Sequence, residues 1–465
     1  METLSIAVTK ARILPARQTT DEWNTQTIQA LVFEPLVRWQ DGNAIPALAE
    51  SWEVLEEGRR WVFRLREGAR FGDGSPCTAG DVLRMIETVR SARDSFGMAG
   101  PYARYLADLT LSAPDERTVE LRCPEPNGDI ADFLCEIYII KEDAQGRPVL
   151  GTGAYTVEDY ANGEFVRLRR REDASPSLQY ERLEFLAMPE AEERYQALVS
   201  GRVGLAMDLD QLEQMPAGDD FVWQQKANTL SVPFFLNGFV PPFNQPAARL
   251  GINLAVDRQA LIDEVWGGRA LPAATVVSPF HCGYDSRIQP LACDLERAKA
   301  LFDQAGMPAE LHLRTPTYMP ERALRTSQVV AGQLARVGIK VRIEVVEDRP
   351  EYARQVGAKQ IGHMALFDSS PHSTYRVLFD KISSRQRAVW WQGVEDPAAD
   401  DLFAQAHAEY RPRERWEKYG LALRHLNQNP HWLYLYHPIL VFACVPEVRG
   451  VELTHSGLLR FPGAW

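Results

Sequence analysis

The sequence predicts an α/β protein with two lobes, because a strand-rich first half is followed by a second half in which helices and strands alternate. With 465 residues the chain is too long for one small core, so two or three domains are expected. The segment SWEVLEEGRRWVFRL alternates apolar and polar residues on both sides of a Glu-Gly turn, as a half-buried hairpin does. In the second half, AELHLRTPTY, RTSQVVAGQLARVGI and KVRIEVVE have the patterns of a strand, a helix and a strand, which is the order of a βαβ unit.

The remaining elements follow from periodicity and from turn residues. The first half also predicts a strand at 4–8, a helix at about 25–33, a helix with Thr78 as its N-cap, and hairpins around Pro114-Asp115 and an Ala-Asn-Gly turn. The second half predicts helices in AARLGINLAVDRQALIDEVWGG, CDLERAKALFDQAGM and EYARQVGA, the first two ended by glycine. IGHMALFDSS is predicted as a strand that runs into a polar loop, and HWLYLYHPILVFACV as a strongly apolar pair of strands.

Composition excludes several classes of protein. The formal net charge of -12 disfavours binding to nucleic acid, and no run of about 18 apolar residues is present. None of the six cysteines forms a CxxC pair; Cys282 and Cys293 bracket a turn-rich loop, where a disulfide and two free thiols are equally compatible with the sequence. The N-terminus goes straight into a strand pattern, which indicates either a cytoplasmic protein or one whose leader has been replaced by a methionine.

No enzyme motif is present. The sequence contains no G-x-x-x-x-G-K-[ST], H-E-x-x-H or G-x-S-x-G, and its Gly-Asp-Gly at 72–74 is a turn rather than a nucleotide-binding loop. These observations favour a protein that binds a ligand without chemical conversion.

Five ordered segments, spread over some 300 residues, resemble the extracytoplasmic solute-binding proteins of ABC importers in the peptide and nickel group. They are FEPLVRWQDGNAIPALAESWEVLEEGRRWVFRLREGARFGDGSPCTAGDV, GTGAY, FFLNGFVPPFNQPAARLGINLAVDRQALI, DLERAKALFDQAGM and LARVGIKVRIEVV. FEPLVRWQDG, EYARQVGAKQIGHM and PEVRGV are most similar to the nickel-complex binders within that group.

The resemblance implies a periplasmic-binding-protein-like fold of type II, in the large peptide and nickel cluster, with an extra β-rich subdomain. Residues 1–40 and 151–236 would belong to the first lobe, 41–150 to its β-rich subdomain, 237–440 to the second lobe, and 441–465 to a return to the first lobe. The hairpin would then pack the subdomain, which makes Trp52 and Trp61 core residues rather than ligand contacts.

The same resemblance places the loop FDSSPHSTYR at the ligand. Peptide binders carry an aspartate there that pairs with the ligand's ammonium, a role open to Asp368, whereas nickel binders supply aromatic rings, to which Phe367, His372 or Tyr375 correspond. His372 is also the candidate metal ligand, because neutral imidazole suits nickel. The alternative is a solvated loop in which Asp368 caps a turn.

One departure from the nickel binders changes the expected ligand. They have a histidine downstream of this loop, whereas SSRQRAVWWQG has none and places Arg385 and Arg387 there. A guanidinium recognises a carboxylate, which predicts a carboxylate-bearing ligand. Trp390 is expected either to wall the site or to pack in the core.

In the first lobe the resemblance points to the segment RSARDSFGMAGPYARYL and to FLCEIYIIKED. Arg93, Tyr102 and Arg104 are candidates in the first, although an exposed helix end explains Arg93 equally simply, and Tyr138 is the candidate in the second. Asn237, on FFLNGF, is expected either to bind ligand or to fix its own strand through backbone hydrogen bonds.

The predicted function is therefore that of a periplasmic substrate-binding protein that delivers a small carboxylate-bearing ligand to an ABC importer permease. The ligand would be a nickel chelate of the metallophore type, with nickel bound through an organic chelator and no other cofactor. Di- or oligopeptides and opines are the alternative ligands, and a ligand sensor and a small-amide hydrolase are the rival functions. The protein is expected to be a monomer that binds no nucleic acid and closes like a clamshell on its ligand.

Overall fold

The computed structural model describes residues 3–15, 17–18, 22–93, 100, 102–216 and 220–464. The chain divides into two compact units. Unit 1 comprises Met1–Lys226 and Leu440–Trp465, and unit 2 comprises Ala227–Ile439. The chain thus passes from unit 1 to unit 2 before the predicted boundary at 236/237, and it returns next to the predicted boundary at 440/441.

Up to the first crossing, strands predominate. In chain order the elements are β1 Thr3–Val8, α1 Trp23–Val32, β2 Val37–Gln40, β3 Asn43–Pro46, β4 Ala49–Leu55, β5 Arg60–Leu65, α2 Ala79–Ser91, α3 Ala103–Leu106, β6 Thr110–Asp115, β7 Thr118–Arg122, α4 Ile130–Leu134, β8 Tyr155–Ala161, β9 Phe165–Arg170, β10 Arg182–Ala187, α5 Ala191–Val199, β11 Leu205–Ala206 and β12 Val222–Ala227.

Beyond the first crossing, helices and strands alternate. The elements are β13 Val232–Leu236, α6 Pro246–Ala255, α7 Arg258–Trp266, β14 Ala270–Pro272, α8 Leu295–Ala305, β15 Glu310–Pro316, α9 Ala323–Ala335, β16 Lys340–Val346, α10 Arg349–Gly357, β17 Met364–Leu366, α11 Thr374–Val377, α12 Pro397–His407, α13 Pro412–Gln428 and β18 Trp432–Cys444, followed in unit 1 by β19 Glu452–Leu453 and β20 Leu459–Arg460.

The predicted aromatic hairpin is confirmed as β4 and β5. These strands pair antiparallel in a four-stranded sheet of order β4-β5-β7-β6. Trp61, Phe63 and Leu65 are buried on one face of β5, as the alternation predicts, and the Trp61 indole donates to the Asn127 carbonyl at 3.0 Å. Trp61 is therefore a structural residue of unit 1.

The main sheet of unit 1 has the strand order β11-β1-β10-β9-β8. β1 lies parallel to both β10 and β11, and β8, β9 and β10 follow one another antiparallel. The buried side chains of Leu4, Ile6 and Val8 on β1 pack into one cluster with α1 and β9.

The Gly-Thr-Gly turn before β8 packs directly against the end of α1. A Cβ atom on Gly153 would lie 2.5 Å from the Leu31 carbonyl oxygen, and the Gly153 amide donates to the Val32 carbonyl at 2.9 Å. The close approach of the two backbones explains why this turn uses glycine.

Gly153→Ala is therefore expected to lower the free energy of unfolding by about 2 kcal/mol, because backbone must move to accommodate the methyl group. The matched control is Gly332→Ala, inside α9, where an added Cβ meets nothing within 4 Å. This control is expected to raise stability by about 0.5–1 kcal/mol, through a higher helix propensity. Urea unfolding of both variants measures the difference, and equal effects would contradict the explanation.

The sheet of unit 2 has the order β16-β15-β17-β13-β18. β15 lies parallel to β16 and to β17, so the predicted βαβ unit of β15, α9 and β16 is confirmed. The core of unit 2 includes Phe234, Leu313, Val330 and Leu435, which come from strands and helices alike.

Two local predictions are wrong. The apolar segment near the C-terminus forms the single strand β18 rather than a pair, because the strand changes partners along its length, from β13 and β14 to β11. The first predicted helix of the second half is two helices, α6 and α7, because the Asp257 side chain accepts a hydrogen bond from the Ala260 amide and starts a new helix.

All six cysteines are free thiols in this structure. Cys282 is buried and Cys293 is exposed, so of the two alternatives for this pair the structure has the unpaired one.

Candidate functional site

The carboxyl ends of β15, β16 and β17 lie at one edge of the sheet of unit 2, because the three strands are parallel. The segments that follow them begin at Thr317, Glu347 and Phe367. In open α/β sheets, ligands bind outside this edge. The predicted loop after β17 therefore lies at the edge of unit 2 where ligand-binding groups are expected.

Asp368 is surrounded by cationic groups at this edge. The Arg349 guanidinium, at the start of α10, donates to the Asp368 carboxylate at 3.0 Å, and both side chains are largely buried. The Lys381 ammonium donates to the Asp368 main-chain carbonyl at 3.1 Å, and Lys381 is 6% exposed. Two positive groups thus contact the one residue that the sequence proposes as an ammonium partner.

Phe367 lies in an aromatic cluster. Its ring centroid lies 5.1 Å from that of Phe235 and 5.0 Å from that of Trp390, and the Arg349 guanidinium sits 4.7 Å above it. Phe367 is 5% exposed and Trp390 is half-buried. Both rings pack the edge from inside unit 2, and contact with a ligand stays a prediction for each.

The loop after β17 is fixed to neighbouring segments of unit 2. Ser369 and Ser231 exchange two backbone hydrogen bonds, at 2.9 and 3.0 Å. The His281 imidazole donates to the Pro371 carbonyl at 2.8 Å, and the Thr374 hydroxyl donates to the Cys282 carbonyl at 2.6 Å. These contacts hold the loop in one conformation, as a binding site requires.

Three imidazoles lie in this part of unit 2. His281, His372 and His437 are all buried, and burial, followed by the neighbouring His372 and His437, lowers the pKa of His281 to about 3. Burial lowers the pKa of His437 to about 4. Within the described residues, no group of three or more histidine, cysteine, aspartate and glutamate side chains is arranged to hold a metal ion, and metal binding by His372 stays a prediction.

Tyr375 stacks on His407, with ring centroids 4.0 Å apart and 14° between the planes. Its ring also lies 5.0 Å from that of Phe379. Tyr375 is 9% exposed, so its orientation is set by packing between α11 and α12.

Arg385 and Arg387 both have carboxylate partners in unit 2. Arg385 pairs with Asp401, and Arg387 pairs with Glu395 at 2.8 Å and lies 5.3 Å from the centre of the Trp391 ring. Their side chains are 52% and 61% exposed. Binding of a ligand carboxylate by either residue would require these pairs to break, and it stays a prediction.

The first-lobe candidates lie on different elements of unit 1. Tyr102 is buried beside Tyr105, and Arg104 is exposed and donates to the Tyr105 hydroxyl at 3.0 Å. Arg93 is exposed and donates to the Ala92 carbonyl, as a helix-end residue does, whereas residues 94–99 and 101 of this segment lie outside the described residues.

Tyr138 is half-buried near the Arg38 guanidinium, and burial raises the pKa of its phenol. Asn237 fixes its own segment: the amide donates to the Gly362 carbonyl at 2.7 Å and accepts from the Phe239 amide at 3.1 Å. For Asn237 the structure thus shows the backbone role that the sequence left open.

Arg349 and Lys381 were not among the site residues predicted from the sequence. Arg349 is 19 residues before Asp368, and the two meet because β16 and β17 flank β15. A signal was available for Arg349, since it closely follows the second predicted strand of the βαβ unit.

A comparison with protein-family models finds that residues 43–380 match the bacterial extracellular solute-binding proteins, family 5. The chain belongs to this family. The proteins of the family bind small ligands and work with ABC permeases, and this chain is an ABC importer substrate-binding protein of the family 5 type. Members of the family are binding proteins for transport rather than enzymes.

Two curated relatives illustrate the range of the family. The chain is 26% identical to di/tripeptide-binding protein 2 of Pseudomonas aeruginosa, over 91% of this chain and 87% of that protein. It is 24% identical to the nickel-binding periplasmic protein of Escherichia coli, over 92% of this chain and 88% of that protein.

Among solved structures, NikA from Brucella suis in complex with Fe(III)-EDTA has a TM-score of 0.82 and 20% identity, and the match covers 99% of this chain and all of that one. The fold is therefore that of the two-lobed binding proteins in the peptide and nickel cluster. Within the described residues, no helix combines the length and the apolar character needed to cross a membrane.

Proposed function

We propose that this family 5 protein captures a small ligand rich in carboxylate groups, and that its two units close on that ligand. The ligand class comprises amino-acid conjugates such as opines and the complexes of a metal ion with such compounds, including nickel chelates of the metallophore type. Ligand contacts made only in the closed form would stabilise that form, which the permease then recognises.

The observation that carries the proposal is the charge around Asp368. Arg349 pairs with the Asp368 carboxylate and Lys381 contacts the Asp368 main-chain carbonyl, so two cationic side chains meet at this residue. A guanidinium and an ammonium at a largely buried edge favour an anionic partner, because charge-assisted hydrogen bonds are strong where water is displaced.

A metal chelate fits the same chemistry. The organic part of a chelate supplies the metal's ligands itself, so the protein needs only cationic and apolar groups around it. NikA from Brucella suis binds Fe(III)-EDTA, a complex of that kind.

Di- and tripeptides are the second candidate ligands. The relative from Pseudomonas aeruginosa is named a di/tripeptide-binding protein, and the resemblance to peptide binders would give Asp368 the role of partner to a peptide's ammonium group. A peptide would have to compete with Arg349 for the Asp368 carboxylate.

Isothermal titration calorimetry with four probes tests the proposal: N-acetyl-L-glutamate, which has two carboxylates and no ammonium, nickel with L-histidine, Ala-Ala, and nickel alone. We expect N-acetyl-L-glutamate or the nickel–histidine complex to bind at least about tenfold more tightly than Ala-Ala, and nickel alone not to bind. Arg349→Gln should lower the affinity for the preferred carboxylate-bearing ligand. Arg413→Gln, at a side chain that is 88% exposed, should leave that affinity unchanged.

Two results would contradict the proposal. One is tighter binding of Ala-Ala than of any carboxylate-rich probe. The other is conversion of a bound probe to a product, detected by mass spectrometry, which would identify an enzyme.

A further inference from the structure

We infer that Arg349 is the specificity-determining residue of this site, because it cancels the charge of Asp368 and thereby selects against ligands that present an ammonium group. The inference rests on the proposed function, since it concerns the same ligand and the same edge of unit 2. It concerns discrimination between ligands rather than the presence of a ligand site.

Arg349 is held in place by three kinds of contact. Its Nε donates to the Met319 carbonyl at 2.7 Å, and its terminal nitrogen donates to the Asp368 carboxylate at 3.0 Å. Its guanidinium lies 4.7 Å from the centre of the Phe367 ring and 5.7 Å from that of Tyr352. A guanidinium that is fixed by a carbonyl, a carboxylate and two rings loses little further freedom when a ligand binds.

Burial makes the pair important for ligand choice. The side chains of Arg349 and Asp368 are 11% and 16% exposed, so water screens their charges weakly. An incoming ammonium would have to replace Arg349 at the carboxylate or lie beside the Arg349 guanidinium, which has the same charge. A neutral or anionic group meets neither cost.

Removal of the Arg349 guanidinium would leave the Asp368 carboxylate without a paired cation. Lys381 contacts the main-chain carbonyl of Asp368 rather than its carboxylate, so the Asp368 charge would lose its paired cation in Arg349→Gln. An uncompensated carboxylate at this edge would then attract an ammonium group. The same loop would therefore change from excluding an ammonium to selecting for it.

The test uses two ligands that differ only in the group at issue. Ala-Ala carries an ammonium, and propionyl-alanine is the same molecule without it. We expect the wild-type protein to bind propionyl-alanine at least as tightly as Ala-Ala, and Arg349→Gln to prefer Ala-Ala by on the order of tenfold. Calorimetry or native mass spectrometry with both probes gives the ratio of the two dissociation constants.

Three further variants separate the charge effect from a structural one. Arg349→Lys keeps the cation and should keep the wild-type ratio. The double variant Arg349→Gln/Asp368→Asn should return the ratio of the two dissociation constants to within about threefold of wild type, because it has no carboxylate left without a paired cation. Asp368→Asn alone leaves Arg349 in place and should increase the affinity for propionyl-alanine several-fold. This variant tests the inference even if Arg349→Gln fails to fold.

An unchanged ratio in Arg349→Gln together with no tightening in Asp368→Asn would overturn the inference and leave the proposed function intact. If neither probe binds any of the proteins, the inference is also overturned, and the titrations with N-acetyl-L-glutamate and with nickel–histidine then decide the proposed function separately.

Discussion

Arg258→Met is expected to lower the free energy of unfolding by about 3 kcal/mol or more, because it leaves several buried carbonyl groups without a donor. The Arg258 guanidinium, 4% exposed, donates to the carbonyls of Tyr434, Asn253 and Leu291 at 2.7 to 3.0 Å. It thereby joins α6, β18 and the segment before α8 inside unit 2. Burial lowers its pKa to about 10, which leaves the guanidinium charged at neutral pH.

Urea unfolding of this variant measures the effect. The control is Arg413→Met, because the Arg413 side chain is 88% exposed and pairs at the surface with Glu417, one helical turn away at 3.4 Å. Such pairs contribute less than about 1 kcal/mol. Similar stabilities for Arg258→Met and Arg413→Met would contradict a large contribution of the buried Arg258 hydrogen bonds to the free energy of unfolding.

Acidification is expected to destabilise the protein between pH 6.5 and about pH 4, before most carboxylates are protonated. His281 and His437 have their pKa values lowered to about 3 and about 4, mainly by burial. In that window the unfolded chain binds protons at both histidines and the folded chain does not, so falling pH favours unfolding. Each histidine contributes up to about 1.4 kcal/mol per pH unit there, and above pH 6.5 this dependence vanishes.

His437→Asn tests the assignment, because an asparagine amide can donate to the Leu230 carbonyl, as His437 does at 3.1 Å, but does not titrate. The stability of the variant should fall less steeply between pH 6.5 and 4.5 than that of the wild type, by about the contribution of one histidine. Parallel pH profiles would contradict a neutral, buried His437.

Local sequence patterns predicted much of the fold. The hairpin of β4 and β5 follows from strict alternation, and the β15-α9-β16 unit follows from a change of period from 2 to 3.6 and back. Both depend on neighbours along the chain, which the sequence displays directly. The family resemblance supplied the order of the landmarks, and the family match over residues 43–380 confirms it.

The errors in the predicted strands arise where pairing with segments distant along the chain determines the structure. A strand through Pro438 is possible because β13, β14 and β11 pair with different parts of β18, and none of those pairings is visible in the segment itself. Helices α12 and α13 were not predicted at all, although Asp396 and two prolines mark their starts.

For the candidate site, the sequence predicted the position of the loop but not the contacts that its side chains make. The position of Asp368 after β17 followed from the resemblance, but its partner Arg349 is brought to it by the register of parallel strands. Conversely, Arg385 and Arg387 are near the loop in sequence, yet their guanidinium groups pair with Asp401 and Glu395. Charge pairing of this kind depends on the fold, and residue type alone does not reveal it.

A crystal structure of the protein with its most tightly bound probe tests the central claim most directly. We predict that a ligand carboxylate lies within hydrogen-bonding distance of a cationic side chain at the carboxyl edge of β15, β16 and β17, with Arg349 still paired to Asp368. A ligand bound away from this edge, or an ammonium group on Asp368 with Arg349 displaced, would contradict the account.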